Sequence, residues 1–100
     1  MPRINETLSH SLSLNEAKKR ITQLIPRLKE AHGDQISEVS EYWQENTNSF
    51  SFQIMGFNIS GSIRVMDSTV EITGKLPFTA GLFKGKIINA IHTEGTKLLS

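Results

Sequence analysis

The three histidines are the first residues to test for chemistry, because an imidazole can ligate a metal or transfer a proton near neutral pH. They are His10, His32 and His92. A metal-binding helix needs two histidines one turn apart, and no pair of these has that spacing. Any metal site would therefore have to be assembled by folding. The sequence predicts neither a metal site nor a catalytic histidine.

His10 lies where the sequence changes its period, within "TLSHSLSLNEAKKRI" at residues 7–21. Apolar positions alternate before it and recur three and four residues apart after it. One alternative is an acid–base or ligating role; the other is a residue that packs over the first helical turn or bonds a local carbonyl. We favour the packed residue. His32 lies near a predicted helix C-terminus, where the helix dipole favours a protonated imidazole.

Other signatures of catalysis or cofactor binding do not occur. "GFNISG" and "GKLPFTAGLFKGK" contain glycines but neither GxxxxGK[ST] nor GxGxxG, and no serine stands in GxSxG. Asp34 and Asp67 fall in predicted turns, where they favour local turn bonding. Phe50 and Phe52 could stack on RNA bases, but their alternation assigns them to a core face. We therefore predict no catalytic residue, no cofactor, no nucleic-acid partner and no enzyme activity.

Composition and length limit the class of protein. The chain has 100 residues, no cysteine, and eleven Lys and Arg against ten Asp and Glu, a formal charge of +1. These values predict one domain over residues 1–100, without disulfides and without a global field for nucleic acid or anionic membrane. "MPRINETLSH" lacks the apolar run of a signal peptide, and no window approaches 18 apolar residues. We expect a cytoplasmic protein with no membrane span.

The N-terminal third predicts a strand followed by a helix. Alternation over residues 3–10 indicates a half-buried strand. "SLNE" then forms a capping box, in which Ser13 accepts from the amide of Glu16 and the Glu16 carboxylate reaches back. Pro26 should kink the helix or end it early, with Gly33 as the latest stop. The apolar stripe of this helix is Leu14, Ala17, Ile21, Leu24, Ile25 and Leu28.

The rest of the chain predicts four strands and a second helix. From Gln35 an irregular edge strand places Ser37, Val39, Glu41 and Trp43 on one side, and clean alternation follows around residues 50–54, 59–65 and 70–76. Short links make these strands an antiparallel meander. A helix starts from Thr79, and its glycines predict close backbone approach or a frayed first turn. The fold class is α+β, ordered β-α-β-β-β-β-α, with two helices on one face of an antiparallel sheet; a reduced helix-grip is one form of it.

The last helix carries more apolar residues than one sheet contact can bury. Leu82, Ile88 and Leu99 are the surplus, and we predict that they form a contact surface. The alternative is that the first helix packs alongside and absorbs them.

Several stretches resemble one known family, the polyhydroxyalkanoic acid system or granule-region proteins. They are "HSLSLNEAKKRI", the lone Trp43, "FSFQIMGFNISGSIRV" and "VEITGKLPFTAGLFKGKI", and together they span most of the chain. The resemblance implies a setting in storage-polyester metabolism. It implies no established activity and supplies no catalytic residues.

Two functions remain open from the sequence. The first is a noncatalytic accessory or interaction protein of polyhydroxyalkanoate metabolism, granule-associated, with storage-granule proteins or a second copy as partners. The alternative is a module of helix-grip type that binds a small apolar ligand. The size of the internal cavity separates them, because the core side chains could fill the whole space.

Overall fold

The computed structural model describes residues 3–100 as an α+β fold with a five-stranded antiparallel sheet, which confirms the predicted class. Met1 and Pro2 lie outside the described residues. They are the first residues of the predicted domain and of the N-terminal stretch for which we predicted no signal peptide. The strands and helices are β1 (Arg3–Ser9), α1 (Leu14–Ile21), α2 (Leu24–Ala31), β2 (Ile36–Gln44), β3 (Thr47–Ile54), β4 (Phe57–Val65), β5 (Thr69–Lys75) and α3 (Lys84–Leu99). A 3-10 segment, Phe78–Phe83, leads into α3.

The sheet has the order β1-β5-β4-β3-β2. Strands β2 to β5 form the predicted meander, and β1 pairs with β5, with Leu8 opposite Val70. One face is apolar and covered by the helices, because alternate residues of each strand point to it. Its fully buried strand residues include Ile4, Ile59, Ile63, Val70 and Ile72.

The first predicted helix is two helices, α1 and α2, separated at Thr22 and Gln23. Pro26 explains the break, since it cannot donate to the carbonyl of Thr22 and its ring crowds that carbonyl. The amide of Gln23 bonds Arg20 O at 3.0 Å, a tighter turn that ends α1. Pro26 then stands in the first turn of α2, where a missing amide proton costs little.

The start of α1 has half of the predicted capping box. Ser13 Oγ accepts from the amide of Glu16 at 3.1 Å. The Glu16 carboxylate does not return to Ser13; it lies 3.4 Å from Arg20 Nε, one turn further along. The opposite charge of Arg20 competes successfully with the backbone for that carboxylate.

The last helix begins later than its apolar pattern predicts. Residues 78–83 form the 3-10 segment, and regular α-helix starts at Lys84. Gly95 lies against β1: a methyl group there would collide with Leu8 Cδ1, so the glycine sets how closely α3 approaches the sheet. Over residues 3–100, no helix has the length and apolar character needed to cross a membrane.

The edge strand β2 contains a bulge. Ser37 pairs with Gln53 and Ser40 with Ser51, which leaves two residues of β2 opposite Phe52, and Glu38 has a φ of 54°. The prediction that Ser37 shares a side with Glu41 and Trp43 is therefore wrong. The extra residue inverts the alternation, so that Ser37 lies on the open face.

Candidate functional site

His10 is held by the backbone at both ring nitrogens. Its Nε2 lies 2.9 Å from the carbonyl oxygen of Met66, and the amide of Leu12 donates to its Nδ1 at 3.1 Å. A neutral ring protonated at Nε2 satisfies both bonds. The buried imidazole thus links the end of β1 to the β4–β5 turn, and the carbonyl it bonds is distant in sequence, not local as predicted.

The other two histidines lie apart from it. His32 is exposed at the C-terminal end of α2. His92, on α3, lies 3.4 Å from Glu6 Oε1 on β1. Within residues 3–100, no three His, Asp or Glu side chains come together as a metal ion would require.

The structure gives the three residues of the predicted contact surface different degrees of burial. Leu82 is 94% exposed, Ile88 is half-buried against the core, and Leu99 is only 6% exposed. Leu99 is therefore a core residue, and its assignment to a surface is wrong. The last turn of α3 is hydrogen-bonded to α1. Arg20 Nη1 donates to the carbonyl oxygens of Leu98 at 3.2 Å and Ser100 at 2.8 Å.

A residue that the sequence reasoning missed completes an exposed apolar pair. Phe78 is 83% exposed and stands four residues before Leu82 in the 3-10 segment. We call Phe78 and Leu82 the apolar tip. Pro77 could have signalled this position, because it starts a new turn just after the sheet and removes the next residue from the strand alternation.

The residues on either side of the apolar tip in the sequence include three lysines. Lys84 and Lys86 follow it in the first turn of α3, and this turn contains no acidic residue. Lys75 precedes it at the end of β5. The tip therefore combines two exposed large apolar side chains with nearby cations.

An apolar groove of about 490 Å³ opens next to the tip, between α2, α3 and the ends of β2 and β3. Its walls are mostly aliphatic and aromatic, and Phe83 at its mouth packs on Phe57 with ring centroids 5.9 Å apart. The apolar lining residues are Leu28, Ile36, Phe52, Ile54, Met55, Phe83, Ile87, Ala90 and Ile91.

The rim of the groove is polar, and its one lysine is in no ion pair with any residue of 3–100. Glu94 is the carboxylate on this rim, and it lies 3.7 Å from Arg27 and 3.6 Å from Lys97. Lys86, on the same rim, takes part in none of the ion pairs of residues 3–100. The groove is therefore apolar inside and locally basic at Lys86.

The open face of the sheet carries rows of hydroxyl groups. Strand register sets Lys75, Ser60, Ser51 and Ser40 side by side, with Arg3 at the β1 end. These residues and the neighbouring row border a shallow hollow of about 650 Å³. Most residues around this hollow are Ser, Thr, Gly, Arg and Lys, whereas most residues around the groove on the other side of the sheet are apolar.

Asn48 is a fully buried amide on the helix-covered face. Its Nδ2 donates to Glu41 Oε1 at 2.7 Å, and its Oδ1 has no hydrogen-bond partner. An unpaired buried carbonyl of this kind costs about 1–3 kcal/mol. Asn48 stands beside Trp43 on β2, away from the residues that line the groove.

Comparison with known proteins gives a family and a fold. A family model described as "Putative polyhydroxyalkanoic acid system protein" matches residues 4–99. No curated protein matches the chain. The crystal structure of TTHA0849 from Thermus thermophilus is similar, with a TM-score of 0.60 and 14% identity over 98% of this chain and 92% of that one. At this identity the likeness concerns the fold alone.

Proposed function

The chain belongs to the polyhydroxyalkanoic acid system family, and from this premise we propose that it is a noncatalytic accessory protein that attaches to the storage polyester through its apolar tip. In this proposal the protein works in the cytoplasm at the granule surface. Granule proteins or a second copy could share that surface with it.

The exposure of Phe78 and Leu82 carries the proposal. Single exposed apolar residues are ordinary, but these two are the most exposed large apolar side chains of the described chain and both belong to one six-residue segment. Burying such a side chain contributes about 1.5–3 kcal/mol. A water-insoluble polyester offers an apolar surface for both, while the lysines beside them remain in water.

The test is sedimentation with polyester particles. We expect the double variant Phe78→Ser, Leu82→Ser to bind polyhydroxybutyrate particles at least tenfold more weakly than the wild type, because the variant loses the apolar burial of both side chains. Val39→Ser with Tyr42→Ser is the matched control, since these residues are exposed on β2, in a different part of the chain. A folded tip variant that sediments like the wild type would reject the proposal.

The alternative function, a module that binds a small apolar ligand, has a separate observation in its favour. The groove between α2 and α3 falls within the usual range for small-molecule sites, about 300–1,000 Å³, and is predominantly apolar. The core side chains therefore leave space at this end of the molecule. Attachment through the tip and binding in the groove use different residues and are compatible.

A further inference from the structure

We propose that the groove binds one acyl chain that ends in a carboxylate, with the carboxylate paired to Lys86. This inference rests on the ligand-binding alternative described above. It adds the chemical class of the ligand, its orientation, and a residue that determines specificity.

The walls of the groove favour an aliphatic chain. Ile87 and Ile91 of α3 face Leu28 of α2 across the groove, and Phe52 and Ile54 supply the sheet side. None of these walls offers a charged partner to the interior of a ligand. A flexible hydrocarbon chain can follow such a surface, because apolar contact is not directional.

Three of the polar residues that line the groove lie along one side of α3, and the other polar lining residues are His32, Gln35 and Glu94. Lys86, Asn89 and Thr93 follow each other at helical spacing, so they share a rim while Ile87 and Ile91 point further in. A chain that lies along α3 would keep its polar end at this rim. Of the three, Lys86 alone is charged.

The charges of the rim select an anionic end. Glu94 is already neutralised by Arg27 and Lys97, whereas Lys86 pairs with no carboxylate of the described chain. A ligand carboxylate at Lys86 would gain an ion pair without breaking one. A neutral end, such as an alcohol, would gain only a hydrogen bond there.

The experiment compares octanoate with 1-octanol, followed by NMR shifts of the groove amides and by titration. We expect both to shift the amides of Ile87, Ala90 and Ile91, and octanoate to bind more tightly. Lys86→Met should weaken octanoate binding about two- to fivefold, the usual size of an exposed ion pair, and should weaken 1-octanol binding by a smaller factor, because the alcohol loses only a hydrogen bond. Lys84→Met is the matched control, because Lys84 is in the same turn but does not line the groove.

The outcomes distinguish ligand binding in the groove from selection of a carboxylate by Lys86. If neither compound shifts the groove amides, the ligand-binding alternative fails, and the carboxylate inference fails with it. If both bind and Lys86→Met changes neither affinity, the groove is a ligand site but Lys86 does not select for a carboxylate. Ala90→Leu fills the groove and should reduce binding of both compounds; unchanged binding would locate the ligand elsewhere and overturn the inference.

Discussion

The two ends of α3 differ in how they pack and in what they expose. At the C-terminal end, Gly95 brings the helix against Leu8, and Arg20 bonds the last carbonyls. At the N-terminal end, the 3-10 segment exposes Phe78 and Leu82, and an apolar groove begins between α3 and α2 at Phe83 and continues to Glu94. One helix thus has a closed end and an open end.

The difference shows how a small domain can divide stability and binding between two ends of one element. Close packing removes apolar surface from water and stabilises the fold, but it leaves no space for a ligand. Exposed apolar side chains and unfilled space contribute little to stability and remain available for contacts. Both proposed contacts lie at the open end.

The largest expected effect is a difference in stability between two leucine-to-alanine variants. One leucine packs on the C-terminal end of α3, and the other precedes its N-terminal end. Leu8→Ala should lower the free energy of unfolding by about 2–5 kcal/mol, because Leu8 is 3% exposed and its removal leaves a cavity. Leu82→Ala should change it by no more than about 0.5 kcal/mol. Urea denaturation of both variants measures the contrast. Equal losses of unfolding free energy at the two positions would show that Leu82 is packed as tightly as Leu8.

A second pair of variants sharpens the comparison within α3. Gly95→Ala should destabilise the protein by about 1–2 kcal/mol, since the new methyl group meets Leu8, whereas Gly85→Ala should stabilise it by up to about 1 kcal/mol, since nothing lies near that position. In a Leu8→Ala background the collision is gone, so Gly95→Ala should become stabilising. Thermal unfolding of the wild type, the two single variants and the double variant measures this change of sign. If the effects of Gly95→Ala and Leu8→Ala on stability simply added, the contact between the two positions would be contradicted.

The smallest expected effect concerns the hydrogen bonds that hold the C-terminal end of α3. Arg20→Gln should cost about 1 kcal/mol, because it removes the partly exposed guanidinium that donates to Leu98 and Ser100 and pairs with Glu16. The loss should appear as faster amide hydrogen exchange in the last turn of α3, with the first turn unchanged. Lys19→Gln on the neighbouring exposed surface is the control. Uniformly faster exchange along α3 would mean that Arg20 stabilises the whole helix.

Regular alternation and helical spacing predicted most of the fold. The meander, the covered face and the interruption near Pro26 are confirmed, because each depends on local patterns that tertiary contacts reinforce. The pairing of β1 with β5 was not predicted, since no local signal specifies which edge a distant strand joins. The bulge at Glu38 was missed for a related reason: it inverts alternation without any glycine or proline to mark it.

The candidate site was less predictable than the fold. Spacing identified Leu82 correctly as surplus, but the same reasoning assigned Leu99 to the surface and overlooked Phe78. Helical periodicity fails here because residues 78–83 form a 3-10 segment, and because α1 covers the far end of α3. The groove depends on the distance between two helices, which no local pattern encodes.

The pairing of the first strand with the last has a consequence for how the protein is made. Among the described elements β1 leaves the ribosome first, yet its strand partner is β5 and the helix that covers it is α3. Strands β2 to β5 can form successive hairpins as they emerge, but β1 must wait with Ile4 and Leu8 unburied until β5 and α3 have been translated. Until then the nascent chain carries β1 as an unpaired strand with two apolar side chains in water.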